Sequence, residues 1–176
     1  MARTSLLRSG TAVAAAVVMG LAAAFPAFAA SAGDSLVPVG SLDGTWAVTD
    51  RTSTSDNGSN NASETFVRAD GVVVQLNLVG LNSASDAQTV QQYYIDQARA
   101  GMPSGFAILP TQLYGDANAY SIAGSADGKT AQGYLFVDKS VVVYILTIGP
   151  DSLADDVRSV SDKVATAQDA ILPSNA

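Results

Sequence analysis

The chain has no cysteine and no histidine among its 176 residues. No disulfide can staple it, no lipid can be attached through a cysteine, and the commonest metal ligand and general base is missing. Glutamate is nearly absent as well: Glu64 is the only one, so almost every acidic group is an aspartate. Basic residues are few, with nine Lys and Arg against sixteen Asp and Glu and a net charge of −7. That balance repels nucleic acid and anionic headgroups and favours solubility. Nucleophilic catalysis would fall to Ser-Lys, Asp or Thr, and acid/base work to carboxylates. The sequence offers no G-x-S-x-G, no Gly-rich phosphate loop and no pair of carboxylates within a strand. We therefore expect a protein that is not an enzyme, holds no cofactor or metal and binds no nucleic acid. A carboxylate-dependent hydrolase is the remaining catalytic alternative.

What is present begins with a leader. Arg3 and Arg8 precede an apolar run from Thr11 to Ala24, which breaks at Pro26 and ends in Ala27-Phe28-Ala29. This is the pattern of a secretory signal peptide with an A-x-A cleavage site, over residues 1–29. An uncleaved membrane anchor is the alternative, but Pro26, the small residues beside Phe28 and the lack of a charged stop-transfer flank argue for cleavage. The expected product is secreted, outside the cell or in the envelope, without a lipid anchor. It touches the membrane only through the leader before cleavage.

Residues 30–41 are small and polar, with Gly33, Pro38 and Gly40, and read as a flexible lead-in to a single domain over 42–176. Trp46 and Val48 suggest a short strand, and the Ser, Thr, Asn, Asp and Gly stretch from Thr52 to Ser63 reads as a mobile loop. Phe66-Val67 and the alternating Val72, Val74, Leu76 and Leu78 flank the turn Ala69-Asp70-Gly71, predicting a hairpin. Ser85 and Gln88 have capping-box spacing ahead of Ala87, Val90, Tyr94 and Ala98, one helical stripe that should stop near Gly101 and Pro103. Four strands follow: Phe106 to Tyr114, broken by Pro110 and so at an edge or bulge, then Tyr120 to Ala126, Thr130 to Val137 and Val141 to Ile148. Asp127-Gly128 and Asp138-Lys139-Ser140 turn between the last three. The apolar, β-branched Val141 to Ile148 should be central and covered on both faces. After Gly149-Pro150, capped at Asp151 or Ser152, a helix carries Leu153, Val157, Val160, Val164, Ala167 and Ile171 with a 3.6-residue period and closes at Pro173. The predicted class is α+β: an antiparallel sheet, made of an N-terminal hairpin and a four-stranded meander, packed with two main helices into a sandwich.

Met102-Pro103-Ser104-Gly105-Phe106 after a helix, Gly115-Asp116-Ala117-Asn118-Ala119-Tyr120 entering a strand, Val141-Val142-Val143-Tyr144-Ile145-Leu146-Thr147 and the closing amphipathic helix together carry a resemblance. The pattern resembles the PsbP-like fold of the photosystem II extrinsic protein PsbP, the Mog proteins and the LpqN-type secreted actinobacterial proteins. The resemblance implies a binding or scaffolding role in the cell envelope and no catalysis. LpqN-type members are tethered through a lipidated cysteine, which this chain lacks.

Several constellations have ordinary structural explanations. Asn57, Gly58 and Glu64 fall at positions five, six and twelve of an EF-hand spacing, but Ser53 and Ser55 stand where carboxylates are needed. Asn57-Gly58-Ser59 and Asn61-Ala62-Ser63 match the glycosylation sequon, as an Asn- and Ser-rich stretch does by chance. Asp151, Asp155 and Asp156 gather where a helix N-terminus favours negative charge. Asp116 and Asn118 suit a turn, and Lys129 and Lys139 flank hairpin turns as solvated surface. The remaining signal is aromatic: Trp46, Phe106, Tyr114, Tyr120, Tyr134, Phe136 and Tyr144 lie in predicted strands. The candidate site is a space between sheet and helix where Tyr120, Tyr134 and Tyr144 contact an apolar or lipid ligand. The alternatives are an envelope protein docking on a surface that includes Thr52 to Ser63, and a structural domain with no pocket.

Overall fold

Burial alternates residue by residue along Val73–Gly80: Val74, Leu76 and Leu78 are buried, while Val73, Gln75, Asn77 and Val79 are half-buried. A strand with that pattern has one face in a core and the other less covered. The computed structural model describes residues 35–42, 44–56, 59–115 and 117–175. The expected leader over 1–29, the Asn57-Gly58 pair and Asp116 lie outside the described residues.

Three strands come first, β1 (Trp46–Asp56), β2 (Ser59–Arg68) and β3 (Val73–Gly80), then helix α1 (Ala84–Gly101). Four more follow, β4 (Phe106–Thr111), β5 (Ala117–Ala126), β6 (Lys129–Asp138) and β7 (Val141–Pro150), then helix α2 (Ala154–Asn175). All seven form one antiparallel sheet in the order β1-β2-β3-β7-β6-β5-β4. Two consecutive meanders thus join where β3 pairs with β7, and the apolar β7 sits in the middle. The architecture is α+β, as the alternation and the two helical stripes predict. Pro110 lies in β4, an edge strand, the place in a sheet where proline is tolerated. Asp127 and Gly128 both have positive φ, 53° and 73°, the geometry of a type I′ hairpin turn.

Each helix covers one face. On one side Val160, Val164, Ala165 and Leu172 of α2 pack on Phe66, Val74, Leu76, Phe136, Val143 and Ile145. On the other, Ala87, Val90 and Ile95 of α1 pack on Ile122, Leu135, Val137, Val142 and Leu146. Among the described residues no helix is long and apolar enough to cross a membrane.

Four expectations need correction. Thr52 to Ser63 is not a loop: Thr52–Asp56 extends β1 and Ser59–Ser63 opens β2, in continuous register. Backbone pairing to β3 supplies the ladder, only one face has to be buried, and Thr is a good strand residue, so a polar composition is no obstacle. The lead-in is not flexible from Ser35 onward. Leu36, Val37 and Leu42 join the α2-side core, and buried Gln168 of α2 accepts from Val37 N at 3.1 Å and donates to the Ser35 carbonyl at 2.7 Å. Helix α1 is capped by Ser83 rather than Ser85: its Oγ accepts from Asp86 N at 3.1 Å. At the last helix a 3-10 turn, Asp151–Leu153, precedes α2, Asp151 accepts from the Thr130 hydroxyl at 2.6 Å instead of capping, and α2 runs past Pro173 to Asn175.

Candidate functional site

Strand register decides which side chains meet. Tyr144 on β7 stands opposite Leu135 on β6, and Leu135 opposite Tyr120 on β5, so Tyr120 and Tyr144 share the face that α1 covers. Tyr134 precedes Leu135 by one residue and therefore faces the other way, into the α2-side core. The three candidate tyrosines do not line one space, and the expected three-tyrosine pocket is not formed. Neighbouring residues of a strand point to opposite faces, and Tyr134 follows that rule.

The chemistry of the three differs accordingly. The Tyr134 hydroxyl donates to the Asp162 carboxylate on α2, and its ring meets Tyr114 edge-on at 4.8 Å. Burial, and then the Asp162 carboxylate, push its ionisation well above the ordinary range. Tyr144 is buried against the α1-side cluster, and burial alone raises its pKa. Tyr120 is half-buried at the margin of the same cluster.

Following the register beyond Tyr144 leads off the covered area. Asn77 on β3 lies opposite Tyr144, Ser63 on β2 opposite Asn77, and Thr52 on β1 opposite Ser63. The row beside it runs from Leu146 through Gln75 and Thr65 to Asp50. On the other flank, Val142, Val79, Asn61 and Thr54 continue the series. Helix α1 lies over β6 and β7, and the side chains on this side of β2 and β3 are half-buried rather than buried. One sheet face is therefore apolar beneath α1 and mixed across β2 and β3, where polar side chains stand beside the half-buried Val67, Val73 and Val79. Asn61, Ser63, Thr65, Gln75 and Asn77 are half-buried there, and Thr52 and Thr54 are exposed. The Thr52 and Ser63 hydroxyls bond each other at 2.6 Å, and the Gln75 side-chain carbonyl is buried without a partner.

The opposite face of the same strands belongs to the core. Glu64 is buried there in the row of Ala62 and Phe66, opposite Arg51 on β1 and Leu76 on β3. Burial raises its pKa, and the nearby Arg51 charge opposes the shift. Sequence reasoning met Glu64 only as the twelfth position of a poor calcium-loop match and missed its burial, because the stretch before it reads as a loop; its place two residues from Ala62 and from Phe66 was the available signal. It also missed Gln91 of α1, buried and donating to the Asn118 carbonyl at 2.6 Å and the Leu135 carbonyl at 3.3 Å.

The acidic candidates are engaged structurally. Asp156 pairs with Arg68, which also binds Asp70 at 2.7 Å and lies 5.2 Å from the centre of the Trp46 ring. Asp155 pairs with Arg158 at 3.3 Å. No cluster of three or more metal-ligating side chains occurs among the described residues.

No family model matches the chain. No curated protein matches it either. Among solved structures, the extracellular domain of PknH from Mycobacterium tuberculosis is similar at a TM-score of 0.49 and 11% identity, over 77% of this chain and 93% of that one. A likeness at this level decides nothing about activity or partners.

Proposed function

We propose that the protein is an exported, non-catalytic binding domain of the cell envelope or exterior, and that it takes its partner on the less covered half-face of β1, β2 and β3. One observation carries the reading: a single sheet face changes from apolar and buried beneath α1 at β6 and β7 to half-buried and mostly amide- and hydroxyl-lined at β2 and β3. Polar groups on an exposed sheet need no partner for folding, yet here five of them form a contiguous half-buried surface on two strands. The leader pattern supports export, and the order of hairpin, helix, meander and helix supports the PsbP-like reading and its binding role. A lipid held by Tyr120, Tyr134 and Tyr144 loses its support, since Tyr134 is bonded to Asp162 on the other side of the sheet.

Site-specific photo-crosslinking in the secreting host tests this. A photoreactive residue at Asn77 should give adducts on secreted protein whose N-terminus is Ala30, while one at Lys163 on α2 should not. Equal labelling at both positions, or a retained leader, overturns the proposal.

A further inference from the structure

The apolar side chains that the fold leaves most exposed lie at the β4 edge. Leu109 of β4 is 59% exposed, and Leu113, in the turn that follows, 66%. Register places Leu109 beside Ser121 on β5 and Ser121 beside Tyr134 on β6, so Leu109 stands on the face that α2 covers further in. The contacts of α2 with the sheet are to β6 and β7. Beyond them the same face continues over Ser121, half-buried, and over Ala107 and Ala123, both exposed and paired across β4 and β5. The result is a shelf of small side chains two strands wide, with leucine on its outer rim.

Helix α2 borders the shelf with carboxylates. Asp162 accepts from the Tyr134 hydroxyl, and Asp169 accepts from Gly115 N at 3.0 Å. Burial raises the pKa of Tyr114, which packs edge-on against Tyr134, and the charges of Asp162 and Asp169 add to the rise. Arg158, one turn before Asp162, is paired with Asp155 at 3.3 Å. Lys163 lies two turns from Asp156, which binds Arg68, and so belongs to the other flank of the helix.

We infer that this shelf docks one helix of a partner protein, apolar along the face that meets β4 and β5 and basic along the side that meets α2. The surface lies at the other end of the sheet from β1–β3, on the opposite face, and goes beyond the binding reading above. Two strands spaced about 4.8 Å apart give a shelf roughly 10 Å wide, the room one α-helix takes. The Ala and Ser floor lets a helix approach closely, and Leu109 and Leu113 gain burial against its apolar face. A further strand at the β4 edge is opposed by Pro110, a residue that blunts edge pairing. A second copy would bring Asp162 and Asp169 against another chain of net charge −7, and an anionic membrane surface would be repelled in the same way. A basic helix turns that charge into attraction.

The test titrates the secreted protein with a synthetic amphipathic helix of about five turns, leucine on one face and lysine on its flanks, and with the same peptide carrying glutamate for lysine. The lysine peptide should bind, the glutamate peptide should not, and a photoreactive group on the leucine face should label β4 or β5. Ala123→Trp, which fills the shelf, and a Leu109→Asn/Leu113→Asn double variant should each weaken binding at least about tenfold. They alter different strands, so a folding defect seen by melting in one leaves the other to decide. Asp162→Asn/Asp169→Asn, which keeps both acceptors, should weaken binding and flatten its salt dependence. Val48→Asn, at a 43% exposed position on the other edge strand, should leave it unchanged. No binding, labelling outside β4 and β5, or equal loss at Val48 overturns the inference. Binding indifferent to Ala123 and Leu109 also overturns it, reducing the effect to general attraction between a cationic peptide and an acidic protein.

Discussion

The two meanders of the sheet are built alike and finished differently. β6 and β7 are sandwiched between α1 and α2 and buried almost throughout, while β4 and β5 run out to an exposed edge. β1 to β3 are covered on one face by α2 and the segment from Ser35 to Leu42, and on the other their side chains are only half-buried or exposed. Covered strands must be apolar on both faces, so β7 reads as a continuous apolar run. Strands covered once need only every second residue to be apolar, and the alternate positions are released from packing. Those released positions are where a binding surface can be written without loss of stability.

The largest expected effect lies in the doubly covered half. Phe136→Ala empties a fully buried site beneath α2 and should cost about 3–5 kcal/mol in chemical denaturation. A loss below 1 kcal/mol would show that the two halves are not packed as differently as described.

Next comes the covering of the inner face of β1 to β3. Gln168→Ala leaves the Val37 N–H and the Ser35 carbonyl without their partner and should cost about 1–3 kcal/mol. Limited proteolysis should then cut first around residues 35–42. Unchanged cleavage would mean that Gln168 does not hold this segment.

The smallest effect concerns Glu64. Its pKa is raised in the folded state, so the fold binds its proton more tightly than the unfolded chain does, and this contribution is lost as pH rises from about 4.5 through the folded-state value. Glu64→Gln should therefore be more stable than the parent at neutral pH, with the advantage shrinking toward pH 4.5. Asp70, held below the usual carboxylate range chiefly by its hydrogen bond to Arg68, acts in the opposite sense and only as pH falls below about 3.8. Melting curves across this range separate the two, and an advantage that grows on acidification would contradict the placement of Glu64.

Legibility in the sequence followed the same division. Val72 to Leu78, the α1 and α2 stripes and the last three strands were readable because burial forced a period of 2 or 3.6 on them. The Asp127-Gly128 turn was readable because both residues tolerate positive φ. Thr52 to Ser63 was not, since Ser, Thr and Asn spell a loop and a half-open strand with the same letters. The candidate site was legible only as an aromatic inventory: Tyr120 and Tyr144 share a face, but Tyr134 does not, and no local pattern relates strands that are distant in sequence.

By itself the sequence determined the α+β class, the helical stripes and the central place of Val141 to Ile148, because hydrophobic periodicity is a local property that each segment carries alone. Tertiary structure alone decided that β3 pairs with β7, that Ser35 to Leu42 is clamped by Gln168, and that the half-buried Asn77 stands beside Tyr144. Register and coverage are relations between segments, fixed only when the ladders close and each helix settles on one part of the sheet.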